Sequence, residues 1–218
     1  MKAEEIIIAN TVQFVKKKLQ NDHSGHDWWH IYRVWKMSLY IGVREGADKY
    51  VVQLAALLHD IADWKMTEDN EKRGVAEIKT WLESQKAPEK MIRHVCLIIE
   101  HISYKGANVP NRIRTIEGKV VQDADRLDAI GAIGIARAFA YGGNKGREMH
   151  NPEAKPAVHN SFEEYKLSQG TTINHFYEKL LLLKDRMNTE TAKHLATERH
   201  QYLEEYVKRF LHEWSGEV

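Results

Sequence analysis

The chain has 218 residues, 43% hydrophobic and 29% charged, with 32 Lys+Arg against 31 Asp+Glu for a formal net charge of +1. That length suffices for a hydrophobic core without staples, and the balance excludes disorder throughout and gives no whole-chain case for nucleic-acid binding. A single cysteine, Cys96, excludes an intramolecular disulfide framework and a Cys-rich zinc module, and it points to a reducing compartment, the cytoplasm by default.

Thirteen glycines and four prolines leave few breakers to separate short strands, which favours long helices. Apolar residues recurring at intervals of three and four predict helices over about 3–19, 28–45, 48–61, 69–85, 88–103, 117–140 and 172–187. The sixth is expected to break near Gly131 and Gly134. A last helix continues the pattern through Leu203, Val207, Leu211 and Trp214, with Asn188 or Thr189 as its N-cap. The segment Gly142–Pro156 reads as a long loop, and no run alternates at period two. The apolar run Ile6–Ala9 is too short for a signal-peptide core, and no export or membrane segment is expected. The expected fold is all-α, a helical bundle forming one domain over 1–218, with C-terminal helices at about 160–214.

Three places set imidazoles and carboxylates in apolar surroundings. In His26-Asp27-Trp28-Trp29-His30 the two histidines are four apart and share a face if the helix has already begun, while Trp28, Trp29 and Trp35 read as core. In Leu54-Ala55-Ala56-Leu57-Leu58-His59-Asp60 a His-Asp pair ends a strongly apolar helix. Burying that carboxylate without a partner is costly, and a metal ion would resolve the cost. In Gln122-Asp123-Ala124-Asp125-Arg126-Leu127-Asp128 three aspartates enter a helix that otherwise looks like core. Imidazoles and carboxylates without thiolates suit a divalent ion in mixed nitrogen and oxygen coordination. Two histidines and two aspartates leave room on an octahedral ion for water and a substrate oxygen, the arrangement that metal-assisted hydrolysis needs. The His-x-x-x-His spacing also admits a zinc-protease helix, but Asp27 stands where that helix needs a glutamate, and His59-Asp60 would go unexplained.

The order His30, His59-Asp60, Asp125 resembles the HD-domain superfamily of metal-dependent phosphohydrolases, through HIYRV, LLHDIAD and QDADRLDAIGAIG, over about residues 20–145. The similarity is greatest to its small stand-alone bacterial branch. The resemblance implies an all-helical bundle with His30, His59, Asp60 and Asp125 as metal ligands. Asp123 competes with Asp125 for the last position. It implies one divalent ion, manganese first, with magnesium, cobalt, nickel, iron and zinc as alternatives. Asp63, three residues after Asp60, resembles the acidic residue that orients or deprotonates water in some nucleotidases of the superfamily. His26 is expected to touch a substrate phosphate or to orient a ligand, and His101 lies near where two-metal members place an extra histidine. Lys65 and Lys105 are candidates to bind phosphate oxygens. Positions two apart on a helix diverge by about 200°, so Asp128, three residues after Asp125, is better placed than Asp123 to support it.

The expected activity is hydrolysis of a nucleotide, a nucleoside or deoxynucleoside triphosphate giving monophosphate and pyrophosphate. The alternatives are a nucleoside monophosphate phosphatase and a non-catalytic module that senses a nucleotide or metal. The expected partner is a small phosphorylated molecule, neither nucleic acid nor membrane. A homodimer is compatible with these features, none of which requires it.

Overall fold

A computed structural model describes residues 3–20, 27–61, 68–102, 110–157 and 170–217, and among them the regular structure is entirely helical. The packing forms two compact units: Met1–Ser103 with Asn111–Ala124, and Tyr104–Pro110 with Asp125–Val218.

The first unit holds α1 (Ala3–Lys18), α2 (Trp28–Arg44), α3 (Lys49–Leu58), α4 (Glu68–Ser84), α5 (Glu89–Ile102) and the larger part of α6 (Ile116–Asp128). Helix α3 packs against α1, α2 and α5. That position explains its sequence: Leu54, Ala55, Ala56, Leu57 and Leu58 are all fully buried, so the helix is apolar on every side rather than striped. Asp48 caps it, accepting from the N–H groups of Tyr50 and Val51 at 2.8 and 3.2 Å. Asp48 N–H in turn donates to Glu117 at 3.1 Å, tying the start of α3 to the start of α6.

The second unit holds the end of α6, α7 (Gly131–Asn144), α8 (Thr172–Glu178) and α9 (Glu190–Trp214). Helix α9 packs on α7, and Thr189 is its cap, accepting from Ala192 N–H at 3.3 Å. Phe139 of α7 meets Phe176, Tyr206 and Phe210 at ring separations of 6.0, 6.1 and 5.9 Å, forming the aromatic part of this core.

Three expectations are corrected. The helix expected over 172–187 ends at Glu178, where Lys179 leaves helical geometry at φ −142°, ψ −60°, and two 3₁₀ turns follow at Leu180–Leu182 and Lys184–Arg186. Leu180, Leu183 and Met187 all enter the core from this segment. The loop expected from Gly142 begins later, because α7 runs through Asn144. Trp29 is 62% exposed rather than core, because the inward face of α2 is set by His30, Ile31, Val34, Ser38 and Ile41, and Trp29 falls in phase with the exposed Tyr32, Lys36 and Tyr40. The expected break near Gly131 and Gly134 is present: α6 stops at Asp128, and Gly131 opens α7 at φ +75°. No helix among the described residues is long and apolar enough to cross a membrane.

Candidate metal centre

Residues 45–48 join α2 to α3, a connection short enough to fold the two helices back on one another. The first turn of α2 therefore lies beside the end of α3. Asp27 caps α2, accepting from His30 N–H at 2.9 Å, and so fixes the backbone of the residue whose side chain enters the site. Its carboxylate is engaged at the helix start, which leaves the protease-like reading of this segment without its acid.

His59 is the first residue after α3, anchored by the buried run before it. Its Nδ1 lies 2.8 Å from the Ala56 carbonyl oxygen. A carbonyl can only accept, so Nδ1 carries the proton and the neutral ring presents its lone pair at Nε2. That Nε2 stands 3.2 Å from Nε2 of His30, with the rings inclined at 67°. Asp60 completes the group, Oδ2 at 3.2 Å from His30 Nε2 and Oδ1 at 3.6 Å from His59 Nε2. The imidazoles are buried, whereas the Asp60 side chain keeps 13% exposure and gives the group an open side.

Three donor atoms within 4.8 Å of one another meet the elementary test for a shared cation. Neighbouring ligands bound at about 2.1 Å to one ion in octahedral or tetrahedral geometry stand roughly 3.0–3.4 Å apart. The two 3.2 Å separations fall in that range. Two nitrogens and a carboxylate oxygen form a hard-to-borderline donor set suited to a divalent first-row ion.

Asp125 lies on α6 and is half-buried. Asp123, its competitor, is fully buried on the same helix. Asp128 is buried and paired with Arg137 of α7, Oδ2 to Nη1 at 2.9 Å. His101 occupies the last turn of α5, half-buried. His26, Asp63, Lys65 and Lys105 lie outside the described residues. Sequence reasoning gave no role to Asp27 or Arg137. The first had a readable signal, an aspartate immediately before an apolar-periodic helix. The second had none, since it meets Asp128 only through the turn between α6 and α7.

The HD domain family model matches residues 28–130, a span that starts beside the Asp27 cap and ends at the turn after α6. The YpgQ protein of Bacillus subtilis is 39% identical over 197 residues, 90% of this chain and 88% of its own length. This chain belongs to the HD-domain family. Solved structures match over most of this chain. An HD-superfamily hydrolase from Bacillus thuringiensis matches with a TM-score of 0.75 at 44% identity, covering 97% of this chain and 98% of its own. A Lactobacillus plantarum protein matches with a TM-score of 0.89 at 38% identity, covering 98% and 99%. YpgQ has been crystallised in complex with ADP, and that structure matches with a TM-score of 0.71, covering 91% and 95%. The HD-domain membership makes this protein a metal-dependent phosphohydrolase, and His30, His59 and Asp60 form a cluster whose donor atoms lie close enough together to share one ion.

Proposed function

We propose that this protein hydrolyses a nucleoside or deoxynucleoside triphosphate to the monophosphate and pyrophosphate, with one divalent ion, manganese, held by His30, His59, Asp60 and Asp125. The observation that carries the reading is the convergence of the His30 and His59 Nε2 atoms on the Asp60 carboxylate. The ADP complex of YpgQ supports a nucleotide as the ligand class. Asp125 is brought in by its motif, QDADRLDAIGAIG.

A divalent ion bound there supplies Lewis acidity to a phosphoryl oxygen and lowers the pKa of water. His59 is held by Ala56 in the tautomer that offers Nε2, and His30 is held by the Asp27 cap. Asp63, three residues after Asp60, takes the proton of the attacking water. The new P–O bond forms at the α-phosphorus while the bond to the β-phosphate oxygen breaks, and pyrophosphate leaves. His26, Lys65, His101 and Lys105 are assigned to hold phosphate oxygens, and Asp128 to brace the end of α6 that carries Asp125.

The test is a screen of metal-stripped protein, resupplied singly with Mn, Mg, Co, Ni, Fe and Zn, against nucleoside and deoxynucleoside mono-, di- and triphosphates. Pyrophosphate release that requires metal and is abolished by Asp60→Ala is the expected result. Orthophosphate release from monophosphates alone would replace the reading with a nucleotidase. Stoichiometric metal binding without turnover would replace it with a sensing module.

A further inference from the structure

The C-terminal helix carries a residue with no part in the motifs above that reaches the end of α6. The Arg199 Nη1 group, on α9, donates to the carbonyl of Leu127, two residues beyond Asp125. Its aliphatic stem fills the space beside Gly131: a Cβ there would meet Arg199 Cγ at 3.1 Å, Cβ at 3.2 Å and Cδ at 3.4 Å. Gly131 also sits at φ +75°, a backbone conformation that side-chain-bearing residues adopt at a cost. The glycine thus serves two purposes, turning the chain and admitting the arginine.

The last turn of α6 is held from several directions by the same unit. Arg126 donates to the carbonyl of Arg186, and Arg137 grips the Asp128 carboxylate at 2.9 Å. Arg199 acts on the main chain of the helix end, as Arg137 also does at the Asp128 carbonyl at 3.4 Å, and it does so from the C-terminal helix. The Leu127 carbonyl also accepts from Ile130 N–H at 3.3 Å in the turn that closes the helix, so the guanidinium is its second donor and complements the negative end of the dipole. Arg199 is half-buried, and that burial pushes its pKa down while Asp128 pushes it up. The carbonyl bond is therefore made with reduced competition from water.

We infer that Arg199 is a positioning residue for metal binding: by fixing the Leu127 carbonyl and wedging against Gly131, it sets the register of the helix end from which Asp125 projects. This rests on the proposal that Asp125 is a ligand, and the experiment separates the two.

The full-length chain, stripped of metal, is titrated with Mn²⁺ and free Mn²⁺ is followed by electron paramagnetic resonance, with thermal midpoints measured in parallel. Arg199→Met is expected to weaken Mn²⁺ binding about 10-fold or more. Arg199→Lys, which keeps one donor but not the planar fork, is expected to fall between it and the unaltered chain. Turnover by both is expected to recover at saturating Mn²⁺. Leu203→Ala, a fully buried position one turn further along α9, is expected to lower the midpoint and leave Mn²⁺ affinity unchanged. Asp125→Ala losing Mn²⁺ affinity while both Arg199 variants keep it would overturn the inference and leave the ligand assignment standing. Asp125→Ala binding Mn²⁺ normally would overturn the ligand assignment and the inference with it. Should Arg199→Met fail to fold, the affinity of Arg199→Lys decides.

Discussion

His59 donates from Nδ1 to the carbonyl oxygen of Ala56, three residues earlier in the chain, at 2.8 Å. The bond lies at the last turn of α3, so the tautomer of His59 is set by the helix that carries it. Removing the ring removes the donor and its orientation together. His59→Ala is expected to lower metal affinity by more than the roughly 10–100-fold that loss of an outer hydrogen-bond partner costs. Equilibrium dialysis against Mn²⁺, with circular dichroism to verify the helical content, checks it.

Asp27 is tested by the contrast of two substitutions. Asp27→Ala removes the cap of α2 and is expected to cost about 1 kcal/mol, a fall of about 2–4 °C in thermal midpoint for a chain of this size. Asp27→Ser keeps an acceptor and is expected to restore most of it. Because the capped N–H belongs to His30, metal affinity is expected to follow the same order. Equal midpoints for the alanine and serine variants would count against the cap.

Tyr50 is buried, and its hydroxyl has no hydrogen-bond partner among the described residues. Burial, with a smaller contribution from Glu4, raises its pKa above the ordinary 10.0. Burial likewise raises Tyr206, reinforced by Glu213 and Tyr202, and raises Cys96, reinforced by Glu100. A raised acid pKa means that the folded state prefers the protonated form. The stability these groups contribute is complete below the unfolded values, 9.0 for the thiol and 10.0 for the phenols, and is lost as pH climbs through the folded values. The thermal midpoint is expected to fall progressively above about pH 9. Tyr50→Phe is expected to flatten that fall and to stabilise the protein by about 1 kcal/mol at neutral pH, since it removes an unsatisfied buried hydroxyl. Midpoints of the two proteins across pH 7–11 decide the matter.

Gly134 faces the Ala129 main chain so closely that a Cβ would collide with the Ala129 carbonyl. That neighbour is backbone and cannot swing aside. Gly134→Ala is expected to destabilise by about 1–3 kcal/mol, measured by urea unfolding.

The long helices were legible because each presents apolar residues at helical spacing, and α3 stood out by its unbroken apolar run from Leu54 to Leu58. The His59-Asp60 pair was conspicuous for the same reason: polar side chains at the end of a largely buried helix need an explanation. The break between α6 and α7 was marked by its glycines. The end of α8 was not, because Leu180, Leu183 and Met187 fit a continuous helix equally well by spacing, and no glycine or proline marks the departure at Lys179. The exposure of Trp29 was hidden by the assumption that a large aromatic near a helix start is core. Arg199 was out of reach of local pattern, since it meets Leu127 across 72 residues of sequence.

His30 and His59 are separated by 29 residues and one short connection, so the pairing of α2 with α3 closes a small loop, entropically inexpensive and fast to form. During synthesis the three donors are complete once the chain has been made through Asp60. Assembly of this donor cluster is thus a local event, and a metal ion that stabilises the helical hairpin accelerates refolding wherever that hairpin belongs to the folding nucleus.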